Sequence, residues 1–120
     1  MVGLKECQDA GKTGFLFGAV RLDKNNAEQQ FDYVEENKTN IITQAWAPWY
    51  TMHKILEGLV SVATMDVEDA LAGEIKETAK EITAKLADWV YNRTSGWSEE
   101  THRTVLGIEY GGMNDCFYDL

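Results

Sequence analysis

A chain of 120 residues has room for one domain at most, and 44% hydrophobic with 26% charged residues places it among folding rather than disordered sequences. Eleven basic against 20 acidic side chains give a net charge of −9, which repels phosphate backbones; with no basic stripe among the aromatics, nucleic acid is excluded as a partner. No stretch is apolar for long enough to cross a bilayer and Met1 to Lys5 carry no leader pattern, so a soluble chain of unspecified compartment is expected, with no membrane partner.

Leu4 and Cys7, three apart, predict a helix over residues 2–8 that Gly11 stops. The glycine-bounded run Gly14-Phe15-Leu16-Phe17-Gly18 is too short and too evenly apolar for a helix and reads as extended. Asn25 and Asn26 are placed to cap a helix over 27–37, with Phe31 and Val34 as its apolar stripe. Next comes Trp46-Ala47-Pro48-Trp49-Tyr50-Thr51-Met52-His53-Lys54, which holds the only proline and half of the tryptophans. Proline fixes its own φ and pushes Ala47 toward an extended conformation, so a rigid aromatic loop ending at a helix start is expected. Such a loop suits the wall of a sugar pocket, and it equally suits the cap of a hydrophobic core.

From Thr51 onward Met52, Ile55, Leu56, Leu59, Val60 and Ala63 share one helix face, with His53 and Glu57 on its flank. Asp66 is the expected N-cap of the following helix, with Glu68 and Asp69 near its positive end. That helix runs to about Asn92 over Leu71, Ile75, Ala79, Ile82, Leu86, Trp89 and Val90, and its charged side from Glu74 to Lys85 reads as a solvated face. The short connection makes the two helices an antiparallel hairpin. Gly96 ends the second helix, Ser98 opens another through about Leu106, and Gly107 and Gly111-Gly112 break the chain. Asn114 is placed to cap a last helix bearing Cys116, Phe117 and Leu120. The chain stops within two turns of that start, so residues 1–120 are expected to be a partial domain cut at both ends. The fold class is all-α, helical hairpins stacking as in an α-solenoid or an α/α toroid. Cys7 and Cys116 lie near opposite ends with no histidine at ligand spacing, which excludes a disulfide framework and leaves a single bridge open. Asn37-Lys38-Thr39 and Asn92-Arg93-Thr94 match the glycosylation acceptor pattern at chance level.

Three blocks in order carry a resemblance: Thr43-Gln44-Ala45-Trp46-Ala47-Pro48-Trp49-Tyr50-Thr51-Met52-His53-Lys54-Ile55-Leu56-Glu57-Gly58-Leu59, then Leu86-Ala87-Asp88-Trp89-Val90-Tyr91-Asn92-Arg93, then Glu109-Tyr110-Gly111-Gly112-Met113-Asn114-Asp115. Together with Leu4 to Gln8 and Gly14 to Leu16, they resemble the β-L-arabinofuranosidase group of glycoside hydrolases (family 127 and relatives such as family 146), formerly a domain of unknown function. The resemblance implies part of an (α/α)6 barrel and a retaining enzyme that acts on L-arabinofuranose-containing glycans. In that family a zinc-bound cysteine thiolate attacks and a glutamate is the acid/base, and both are expected C-terminal to this chain. Neither Cys7 nor Cys116 falls in a matching motif, so no catalytic residue, no metal ligand and no cofactor is expected here, and the zinc belongs to the full-length family.

The resemblance implies a sugar-contacting role for His53 and, in the loop from Glu109 to Asp115, for Glu109, Asn114 and Asp115. Trp49 and Tyr50 are expected to supply flat faces against the ring. Asp115 stands where relatives usually have glutamate, and Gly18-Ala19-Val20 interrupts a stretch that is usually more aromatic and contains proline. Six residues across a double-glycine turn fix no separation between Glu109 and Asp115, so they are not taken as a catalytic pair. The chain is expected to be inactive alone, with exposed apolar helix faces that drive self-association. The alternative is a small helical carbohydrate-binding or protein-interaction module without catalysis.

Overall fold

The structure, a computed structural model, describes residues 1–18, 23–40, 45, 47–67 and 69–120. Expectations for Ala19, Val20, Thr43, Gln44, Trp46 and Glu68 lie outside the described residues. Six helices occur among those described: α1 (Val2–Gly11), α2 (Gln29–Glu35), α3 (Pro48–Thr64), α4 (Ala70–Thr94), α5 (Glu99–Ile108) and α6 (Met113–Tyr118). No strand is found among the described residues, apart from one isolated bridge between Asp23 and Asn26. The all-α expectation holds.

The α3–α4 hairpin is the centre. Met52, Leu56 and Leu59 of α3 pack with Ile82, Leu86, Trp89 and Val90 of α4, as helical spacing requires. Phe31 and Val34 of α2, both fully buried, Val105 of α5 and Cys116 of α6 close the same core. The run before α2 adds rings rather than a strand: Phe15 and Phe17 lie 5.8 and 5.1 Å from Phe31. No helix among the described residues is long and apolar enough to cross a membrane. Both cysteines are free, Cys7 exposed and Cys116 buried.

Several starts differ from the sequence reading. α4 is capped by Asp69, whose Oδ1 accepts the Ala72 N–H at 2.7 Å, and not by Asp66. The shift makes Ala72 the first buried residue and leaves Leu71 66% exposed, because a stripe is set by where the helix begins. α2 starts at Gln29; Asn26 accepts the Glu28 N–H at 3.0 Å and so turns the chain one step before the helix rather than capping it. α5 is capped by Ser98 as expected, Oγ to the Thr101 N–H at 3.1 Å, but continues through Gly107 to Ile108. α6 begins after Gly112, which puts Asn114 inside the helix instead of at its cap.

α1 forms, yet its Leu4 and Cys7 are exposed and the buried residue is Gln8. The Gln8 side-chain amide donates to the Gly14 carbonyl at 2.8 Å and the Ile82 carbonyl at 2.9 Å, mooring α1 and the following loop to α4. An amide with two directed bonds fixes position better than a methyl-bearing stripe. The outer side of this contact is ionic: Lys5 and Lys85 each bridge Asp9 and Glu81 at 2.6 to 2.9 Å. The charged side of α4 is therefore solvated only in part. Bonds to Asp9 and then Glu81 raise the Lys5 ammonium well above its ordinary value, but at this exposure such pairs contribute little to stability. Gln8→Ala is expected to destabilise the chain by about 2 kcal/mol, one increment for each lost bond, read from urea denaturation. An unchanged midpoint would show that the amide moors nothing.

Candidate functional site

A cleft of about 380 Å³ opens between the first turn of α3, the last turns of α4, the inner side of α5 and the start of α6. Its floor begins at an unusual helix start. Ala47 lies at φ 44° and ψ 45°, left-handed rather than extended, and Pro48 occupies the first turn. This corrects the extended conformation expected before proline. The reversal lets the Ala47 carbonyl accept both the Thr51 N–H at 3.0 Å and the Thr51 hydroxyl at 3.1 Å. Those bonds offset a left-handed alanine, which costs about 1–2 kcal/mol.

The N-cap residue Ala47 has no side-chain group that could cap α3. The cap arrives from the end of α5. Glu109 Oε2 accepts the Tyr50 N–H at 2.9 Å across 59 residues, and Glu109 is 8% exposed. A carboxyl is the natural group there, since free N–H groups and the helix dipole both favour negative charge. Burial nevertheless pushes the Glu109 carboxyl above its ordinary value, against the lowering effect of the Tyr50 and then the Trp49 backbone N–H groups. Its other oxygen, Oε1, is buried and has no hydrogen-bond partner among the described residues.

One turn further along α3, the His53 ring is 7% exposed and meets the Tyr50 ring edge-on at 5.7 Å and 82°. The second glycine of the loop lies directly over it: a Cβ on Gly112 would sit 2.6 Å from His53 Nε2. Only a residue without a side chain brings the turn that close. His53 Nε2 is 3.6 Å from Glu57 Oε2, too long for a hydrogen bond, and Glu57 is held instead by Lys54 at 2.7 Å. His53 Nδ1 is buried with no hydrogen-bond partner among the described residues. Behind the ring, the Cys116 thiol donates to the His53 carbonyl at 3.5 Å.

Of the six residues expected to contact a sugar, Trp49, Tyr50, His53, Glu109 and Asn114 line this cleft. Asp115 is exposed on α6 and does not. Trp49 is both wall and core: its ring packs edge-to-face on Phe31 at 4.9 Å and on Trp97 at 5.1 Å. Tyr50 is 50% exposed and presents its ring to solvent. Trp97 and His102 were not foreseen, although the sequence held a signal. Trp97 precedes the Ser98 cap and His102 is the fourth residue of the helix, the spacing of a hydrophobic staple, and their rings meet at 5.1 Å.

Arg93 was also missed. Its guanidinium binds Glu35 through Nε at 2.6 Å and Glu28 and Asp32 through its two terminal nitrogens, and stacks on Phe31 and Trp89. Trp89 Nε1 donates to Glu28 at 3.1 Å, so the aromatic floor and the ionic cluster form one unit behind the cleft.

The zinc implied by the sequence resemblance does not fit these residues. No three His, Cys, Asp or Glu side chains among the described residues gather to hold a metal ion. Burial pushes the Cys116 thiol up, and its sulfur donates to a carbonyl, which is the behaviour of a neutral thiol.

Comparison with known proteins gives the class first: the chain is glycoside hydrolase sequence from end to end. A family model described as β-L-arabinofuranosidase, glycoside hydrolase family 127 catalytic domain, matches residues 1–120, and the chain belongs to that family, whose catalytic domain is a helical barrel. No curated protein and no solved structure matches the chain.

The raised Glu109 carboxyl makes a signed prediction. The folded state holds this proton to higher pH than the unfolded chain, whose ordinary value is 4.5, so stability falls as pH climbs from there through the folded value. Glu109→Gln keeps an acceptor for the Tyr50 N–H without the charge. It is expected to match the parent at about pH 4 and exceed it in stability at neutral pH, as measured by denaturant midpoints. A Glu109→Gln variant less stable than the parent at neutral pH would show that the charge is favoured there.

Proposed function

We propose that these residues form part of the sugar-facing wall of a retaining glycoside hydrolase that acts on L-arabinofuranose-containing glycans, and that the chain alone is inactive. The observation that carries this reading is the cleft itself, where flat rings adjoin a buried histidine and a buried carboxyl. A pentose offers C–H faces that pack on aromatic rings and hydroxyls that need directed partners. Trp49 and Tyr50 supply the faces; His53, Glu109 and Asn114 supply polar atoms. Asp115 enters this reading only through its place in the loop motif. Nucleophile, acid/base and the family's zinc are assigned to residues other than these, a reading supported by the neutral, carbonyl-bonded state of Cys116.

Calorimetric titration with L-arabinose and arabino-oligosaccharides tests the wall. Binding is expected, weakened about tenfold in His53→Ala, the loss of one directed bond. Equal heats from both proteins would remove His53 from the site, and release of arabinose from an arabinofuranoside by the chain alone would overturn its inactivity.

Leu71 at 66% exposure, Leu106 at 62% and Tyr118 at 91% favour this reading over a self-contained carbohydrate-binding or interaction module, which would close its surface over such residues. Self-association through these faces should raise the sedimentation coefficient with concentration.

A further inference from the structure

We infer that Glu109 is a positioning residue, a helix cap delivered from α5 that sets the α3 first turn and through it the orientation of Tyr50 and His53 in the cleft. The inference rests on the sugar-wall reading for its consequence and on four observations for its geometry. α3 starts at a left-handed alanine with no side-chain cap of its own. Glu109 Oε2 takes the Tyr50 N–H at 2.9 Å from a residue 59 positions away. Tyr50 and His53, three apart on one helix face, are in edge-to-face contact. The chain then leaves Glu109 and passes through Gly111 and Gly112, where a Cβ would lie 3.5 Å from the Tyr50 ring and 2.6 Å from the His53 ring.

The segment 109–112 thus grips one turn of α3 at two levels. The carboxyl holds the backbone end and the glycines lie over the rings. Without the carboxyl, the Tyr50 N–H loses its acceptor in a half-buried place, and the turn frays or shifts to find water. Since His53 is one turn on, a shift of that turn moves the ring away from Gly112. Nothing in this requires Glu109 to touch sugar, which separates it from the role that its place in the loop motif suggests.

The test compares the parent chain with Glu109→Ala and Glu109→Gln, each first shown to be folded by circular dichroism. Three quantities are read: hydrogen exchange at the Tyr50 amide, the His53 ring shifts in nuclear magnetic resonance, and the affinity for L-arabinose. In Glu109→Ala, faster exchange at Tyr50, displaced His53 ring signals and about tenfold weaker arabinose binding are expected. In Glu109→Gln, which keeps the acceptor, all three should return most of the way to the parent. Folded Glu109→Gln as deficient as Glu109→Ala would overturn the inference, because an acceptor alone would then not suffice. So would unchanged His53 signals in Glu109→Ala. Should Glu109→Ala not fold, Glu109→Leu, which also lacks an acceptor but keeps most of the side-chain volume, takes its place in both comparisons. If the parent chain does not bind arabinose, the sugar-wall reading falls, while amide exchange and ring signals still judge the positioning role.

Discussion

Arg93→Met is expected to destabilise the chain by about 3–5 kcal/mol at neutral pH, because it leaves three carboxylates facing one another without their cation. The Arg93 side chain is only 14% exposed and spends its guanidinium on Glu28, Asp32 and Glu35 together. Burial opposes its charge, but the bonds to Glu35 and then Asp32 outweigh that and raise its pKa. Burial likewise raises the Glu35 carboxyl, with Arg93 opposing it. Acidification should therefore shrink the cost of Arg93→Met, as the abandoned carboxylates take up protons. Arg93→Lys is expected to recover only part, since an ammonium cannot fork to three partners or stack on Phe31 and Trp89. Denaturation at neutral pH and at about pH 4 checks both statements; a loss below about 1 kcal/mol would show a cluster no stronger than surface pairs.

Gly14→Ala is the second large effect, about 2–4 kcal/mol from backbone strain and a clash that no side chain can relieve. Gly14 sits at φ 82°, and a Cβ there would come 2.4 Å from the Lys85 carbonyl oxygen. The loop would have to lift from α4, breaking the Gln8 bond to the Gly14 carbonyl. Gly58→Ala serves as control: this glycine lies within α3 with nothing within 4 Å of an added Cβ, so the same change should stabilise by about 1 kcal/mol. Equal effects at the two glycines would sink the steric account.

Helices whose apolar residues repeat over several turns were legible. α3 and most of α4 bury Met52, Leu56, Ile82 and Leu86 as their spacing says, and Ser98 caps α5. Local polar rules were less reliable where two acids compete: Asp66 and Asp69 both suit a cap, and it is Asp69 whose side chain accepts the Ala72 N–H. Contacts between polar groups far apart in sequence left no local mark. Gln8 bonds to Ile82, Arg93 to Glu28, and Glu109 to the Tyr50 N–H, each across more than fifty residues. The site was half legible for the same reason. Trp49, Tyr50 and His53 sit in one motif, but Trp97 and His102 come from the start of α5 and the capping role of Glu109 depends on where α5 ends relative to α3.

Trp49 lies 5.1 Å from Trp97 and 6.1 Å from Trp89, one indole shared between the cleft wall and the hydrophobic interior. Rings this near exchange excitation energy, so the native chain should absorb circularly polarised near-ultraviolet light as a coupled set rather than as independent chromophores. Occupancy of the cleft then becomes an optical event: whatever settles against Trp49 perturbs its neighbours' spectra as well, without any label being attached.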